Sequence, residues 1–173
     1  MCVCCFVETV RPSDDQIGAM WDANPKGGGG AAWRTALDGT AVVKWQKGLD
    51  REGMIAINKT LPLPYILHFR QPSSDTSDSL LACHPFQIDD DATSGFEGTT
   101  TGWVLFHNGH WVDWRKKLEA LSIATGHRLP SGAWSDSRGL AWAANLLGFG
   151  ILEMIDEKVL CLGPESQDVE MFG

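Results

Sequence analysis

The chain has 173 residues, a formal net charge of −8 and an ordinary balance of 43% hydrophobic and 21% charged residues, enough for one globular domain with a real core. There is no basic run, which argues against direct nucleic-acid binding through phosphate. No apolar stretch approaches the roughly 20 residues of a membrane span, so a membrane role is not expected.

The first residues lack the charged flank and long apolar core of a signal peptide. Five cysteines are an odd number, and three crowd the start, which reads as a reduced, cytoplasmic protein. Eight tryptophans point to a packed core, and any exposed ones would mark a docking face.

Met1-Cys2-Val3-Cys4-Cys5 opens the chain. Cys2 to Val7 reads as a buried strand, with Cys2 and Cys4 facing one way and Val3 and Cys5 the other. Two other readings stay open at this point. Cys2 and Cys5 have the C-x-x-C spacing of a redox pair or half a metal site. Removal of Met1 would instead place the Cys2 thiol beside a free amine, a nucleophile with its own general base.

Ser13-Asp14-Asp15 before Ile17, Met20 and Trp21 predicts a capped helix ending before Asn24-Pro25. Lys26-Gly27-Gly28-Gly29-Gly30 lacks the ending of a phosphate loop and reads as a turn. Strands follow over Ala31–Thr35 and Thr40–Trp45, joined by Asp38-Gly39, a hairpin signal. Asp50–Lys59 reads as a helix and Leu63–Phe69 as a strand. Gln71 to Asp78 is a loop. Strands are predicted over Leu80–Phe86 and Trp103–Phe106, with a polar loop from Asp89 to Thr101 between them. Asp89-Asp90-Asp91 lacks the alternating pattern of a Ca²⁺ loop and reads as a solvated turn.

His110 to Thr125 has helical spacing at Trp111, Trp114, Leu118 and Leu121. Ser135 caps a second helix with Leu140, Ala143, Ala144 and Leu147 inward, and Gly148-Phe149-Gly150 breaks it. Lys158–Leu162 is a last strand, and the polar tail 163–173 is expected to be loosely ordered. Hairpins, two consecutive helices and a strand predict an α+β fold in a single domain.

Four clusters fall at strand ends or helix starts: His68-Phe69-Arg70, His84-Pro85-Phe86, His107-Asn108-Gly109 and Ser135-Asp136-Ser137. With Cys2, their order resembles the glutaminase domain of class II glutamine amidotransferases, which are N-terminal-nucleophile hydrolases. The resemblance runs from Cys2 to about Glu153 and includes Asn24 to Gly29 and the Lys47-Gly48-Leu49 turn.

It implies a four-layer αββα sandwich of antiparallel sheets and hydrolysis of L-glutamine to glutamate and ammonia. Cys2 would be the nucleophile, with Asn108 and Gly109 as the oxyanion hole. Arg70 would hold the substrate α-carboxylate, Asp136 its ammonium, and His68, His84 and His107 would be structural hydrogen-bonders near the site. No cofactor and no metal are called for. The ammonia would pass to a synthase or ligase on a separate chain. Two departures stand out. Val3 replaces the glycine that usually follows the nucleophile, and Gln71-Pro72-Ser73 replaces an aromatic and a Thr that close over glutamine. Ser73 would supply that hydroxyl. The rival functions are an N-terminal-Cys amidohydrolase acting on another amide, and an inactive binding module with a core or metal-bound cysteine cluster.

Overall fold

The structure, a computed structural model, describes residues 2–24, 27–72, 80–92 and 95–173. It is an α+β fold with two antiparallel sheets. One sheet contains β1 (Val3–Val7), β4 (Tyr65–Phe69), β2 (Gly29–Leu37), β3 (Thr40–Leu49) and β6 (Glu97–Thr100), in that spatial order. The other contains β5 (Phe86–Gln87), β7 (Val104–Asn108), β8 (Lys158–Leu162) and β9 (Val169–Phe172). The helices are α1 (Asp14–Asp22), α2 (Arg51–Thr60), α3 (Trp114–Thr125), α4 (Asp136–Leu147) and the short α5 (Gly150–Glu153). No helix among the described residues is long and apolar enough to cross a membrane.

Strand alternation generates three cores. Val7, Tyr65, Leu67 and Phe69 point to one side of the first sheet and pack with Ile17 of α1 and with Met54 and Ile57 of α2. Ala32, Val43, Trp45 and Ile66 point to the other side, where they meet Val104, Phe106, Leu160 and Leu162 of the second sheet. Leu105, Val159 and Cys161 leave the opposite face of that sheet and pack on Trp114, Leu118, Leu140 and Trp142 of α3 and α4. Each large side chain buried this way contributes about 1.5–3 kcal/mol relative to exposure. In β1, Cys5 packs with the first of these cores and Cys4 with the second, as period-2 alternation requires.

Several elements follow from local chemistry. Ser13 and Gln16 close a reciprocal capping box on α1, and the Asp50 carboxylate caps α2 at Gly53 N. Asp38 and Gly39 both adopt positive φ in the β2–β3 turn, the condition of a tight hairpin. Gly98 of β6 lies against the Trp45 ring, where no side chain fits.

Other elements differ from the sequence reading. Leu80–Phe86 is not a strand: a 3-10 turn covers Leu80–Ala82, and sheet pairing begins only at Phe86. Pro85 has no N–H to donate to a ladder. The polar loop after Asp89 contains β6, an edge strand on β3 whose burial alternates between exposed and half-buried, so no hydrophobic pattern announced it. Lys47-Gly48-Leu49 completes β3 rather than turning. Helix α3 starts at Trp114, not His110, because Asp113 sits in the left-handed region. Leu147 is half exposed rather than inward, at the last turn of α4. The polar tail carries β9, hydrogen-bonded to β8, and Arg34 ties it to the first sheet through Gly163 O and Asp168 O, both at 2.8 Å. All eight tryptophans are buried or half-buried.

The triple-Asp turn also has a structural use. Arg138 of α4 donates Nη2 to Asp91 O at 2.8 Å, Nε to Ala92 O at 3.1 Å and Nη1 to Ala133 O at 2.9 Å, with its guanidinium over the Trp134 ring. Among the described residues no group of three or more His, Cys, Asp or Glu is placed to hold a metal ion.

Candidate active site

The antiparallel pairing of β1 with β4 puts Val3 opposite Phe69, which brings Cys2 to the end of β4 beside Arg70 and Gln71. Gln71 N donates to Cys2 Sγ at 3.2 Å, and the thiol reaches Gln71 O at 3.8 Å. Burial pushes the Cys2 thiol up from its ordinary value, and nearby Asp136 adds to the rise; the Gln71 N–H and Arg70 pull the other way. At neutral pH the thiol is protonated and needs a base to become a nucleophile.

Arg70 is buried and its backbone N–H donates to Gly28 O at 3.0 Å. The glycines that precede and begin β2 permit this. A Cβ added at Gly27 would overlap the Arg70 carbonyl, and one at Gly30 would overlap the His84 carbonyl. The glycine run is therefore a surface of close backbone approach under the site as well as a bend. The Pro25 and Lys26 part of that stretch, and Ser73, lie outside the described residues.

Asp136 is the first residue of α4, with Ser135 as N-cap accepting from Arg138 N at 3.1 Å. Its Oδ1 accepts from Ser137 N at 2.8 Å and its Oδ2 from Trp111 N at 3.3 Å. His110 Nδ1 lies 3.5 Å from Oδ2 and His107 Nδ1 lies 3.9 Å from it. The carboxylate is thus oriented at a positive helix end and keeps lone pairs for a ligand.

The histidines form a buried group between these parts. His68 Nε2 meets His107 O at 3.3 Å, and His107 Nδ1 meets Ser137 Oγ at 3.1 Å. The His68 and His84 rings are 4.1 Å apart, centroid to centroid, with Phe106 beside both. Burial lowers all three pKa values, that of His68 to about 3, so the rings are neutral. Unlike its companions, His84 makes no hydrogen bond from either ring nitrogen among the described residues.

Two cavities meet at Cys2. A small one of about 30 Å³ is lined by Cys2, Arg70, His84, His107, Gly109 and Asp136, among others. A larger one of about 530 Å³ is lined by Cys2, Asn108, Gly109, Gln71 and Asp156–Lys158. The structure therefore gathers Cys2, Arg70, Asn108, Gly109 and Asp136 around one thiol, with His84 and His107 in the smaller cavity's wall and His68 packed behind. Sequence reasoning named Gln71 only within the altered segment after Arg70 and missed that its backbone holds the thiol; it missed Glu157, whose carboxylate lies against Gly109, altogether. It also missed His110 beside Asp136. Backbone roles leave no residue-type signal, and Glu157 reaches the site only through the Asn108–Lys158 pairing of β7 with β8.

No protein-family model matches the chain, and no curated protein matches it.

Proposed function

We propose that the chain is a glutaminase of the class II amidotransferase type, hydrolysing L-glutamine to glutamate and ammonia through Cys2 once Met1 is removed. The observation that carries this reading is the small cavity in which a thiol, a buried Arg and an Asp in the first turn of α4 face one space. A cation and an anion so placed suit the two ends of an α-amino acid, and the thiol suits its side-chain amide.

Arg70 pairs with the substrate α-carboxylate and Asp136 with its ammonium. The Cys2 α-amine takes the thiol proton, and Sγ attacks the carboxamide carbon. The developing oxyanion is met by the Asn108 side-chain amide and the Gly109 N–H. The amine returns the proton to the departing nitrogen, and water then splits the thioester. Both ring nitrogens of His84 and Nε2 of His107, which have no hydrogen-bond partner among the described residues, favour a polar occupant. At about 30 Å³ the cavity is smaller than an amino-acid head, so substrate binding requires its wall to open.

The stacking of helices, sheet, sheet and helices implied by the three cores supports the four-layer αββα sandwich of N-terminal-nucleophile hydrolases. Five free cysteines support a reducing compartment such as the cytoplasm. Ammonia at neutral pH is mostly ammonium, which supports delivery to a docked synthase or ligase on a separate chain.

The test is ammonia release from glutamine by the Met1-processed protein. Activity that disappears in Cys2→Ala and in a variant retaining Met1 is the expected result. Equal activity with Met1 retained removes the α-amine as base and contradicts the reading.

A further inference from the structure

The cavity on the other side of Cys2 is far larger than ammonia requires. A departing ammonia needs about the room of one water, roughly 30 Å³. The space beside the thiol holds about 530 Å³, within the range of cavities that bind whole small molecules. Arg70 and Asp136 line only the small cavity, whereas Cys2 and Gly109 line both. An amino-acid head held by Arg70 and Asp136 would bring its side-chain amide to Cys2, where the small cavity meets the large one.

The charge of that space is informative. Asp156 and Glu157 line it, and the Glu157 carboxylate lies so close to Gly109 that a Cβ there would overlap it. A carboxylate at that point opposes the negative oxygen that forms beside Gly109 N–H. A cation seated against Glu157 removes the opposition. Lys158 lines this cavity too, but it is exposed and is shared with the neighbouring cleft between the sheets.

We propose that the large cavity is a leaving-group subsite and that the preferred substrate is an N-substituted γ-glutamyl amide whose amine portion carries a positive charge. This rests on the acyl-site reading given above. The chemistry is unchanged in its balance. Sγ bonds to the amide carbon, the C–N bond breaks, and the amine leaves with the proton taken from the thiol. Water then cleaves the thioester, giving the γ-carboxylic acid and restoring the thiol. The retained binding of the amine portion supplies orientation that glutamine, lacking it, does not.

The experiment compares kcat/KM of the Met1-processed protein on glutamine, on its N-aminobutyl amide and on the uncharged N-pentyl amide of equal length. The aminobutyl amide is expected to exceed both others by about tenfold or more, the size of one charge-assisted contact. Glu157→Gln is expected to bring the aminobutyl-to-pentyl ratio close to one, and Asp156→Asn to lower it by less. Faster cleavage of glutamine than of either amide overturns the proposal and leaves the glutaminase reading standing. Equal rates on the two substituted amides overturn the charged-amine specificity. If no substrate is cleaved the proposal falls, and a glutamine-mimicking diazo-ketone then shows whether the acyl site falls with it: an adduct on Cys2 keeps that reading, and no adduct ends it.

Discussion

Arg70 and Asn108 are the residues whose replacement separates binding from chemistry. Arg70 is buried at the end of β4, where a guanidinium can grip a carboxylate with two parallel bonds. Arg70→Lys keeps the charge but loses the fork, so KM for glutamine is expected to rise about tenfold or more while kcat changes less. In the proposed mechanism Asn108→Ala removes a donor used only by the oxyanion. The expected loss is about 10²–10³ in kcat, roughly 3–4 kcal/mol of barrier, with KM little changed. Steady-state kinetics of the two variants check both, and the reverse pattern would exchange their roles. At this scale the sequence was most informative where a residue type is itself the chemistry. Cys2, Arg70 and Asp136 were singled out because their clusters, taken in order, resemble those of the amidotransferase family, and the fold brings the three to one cavity. Gln71 was not, because its backbone holds the thiol and any residue type has that backbone. Glu157 was not, because an acid before a strand reads as an ordinary surface charge.

Among the elements, the glycine stretch at the start of β2 positions the site and the α1 cap does not. Gly30→Ala would drive a methyl into the His84 carbonyl and against Lys47. A loss of about 1–3 kcal/mol is expected, together with reduced activity, because His84 in the wall of the small cavity is set by this packing. Ser13→Ala breaks a capping box far from Cys2 and should cost about 1 kcal/mol with kcat/KM unchanged. Chemical denaturation with parallel assays distinguishes the two. Elements with caps or strong hydrophobic period, such as α1, α2, the β2–β3 hairpin and β8, could be read from the sequence. The elements that escaped lack that signal. β6 and β9 are four-residue edge strands, too short for a hydrophobic period, whose register is set by their neighbours, β3 and β8. Pro85 stopped the predicted strand at 80–86 from pairing before Phe86.

For the whole molecule, the buried titratable groups set how stability follows pH. His68 and His84 are held neutral by burial in the folded chain, His68 down to about pH 3, whereas an unfolded histidine takes a proton near 6.5. Acid therefore favours unfolding progressively from pH 6.5 downward, each site adding up to about 1.4 kcal/mol per pH unit. Lys47 is buried, donates Nζ to Pro85 O at 3.2 Å, and has its pKa lowered by burial to about 7. Unfolded lysine binds its proton up to 10.5, so stability rises with pH above 7. Burial pushes the thiols up, Cys4 to about 12, so their ionisation on unfolding reduces stability above pH 9. Urea midpoints are expected to climb from pH 4 to about 9 and fall beyond it, with His68→Asn flattening the acid side. A maximum in mild acid would contradict this picture of a neutral histidine group between the sheets.

The most direct measurement of the central claim is the intact mass of the purified protein before and after exposure to a glutamine-mimicking diazo-ketone. Loss of Met1 and one adduct, mapped to Cys2 and absent from Cys2→Ala, are expected. A chain that keeps Met1, or a processed chain that gains no adduct, would contradict the claim.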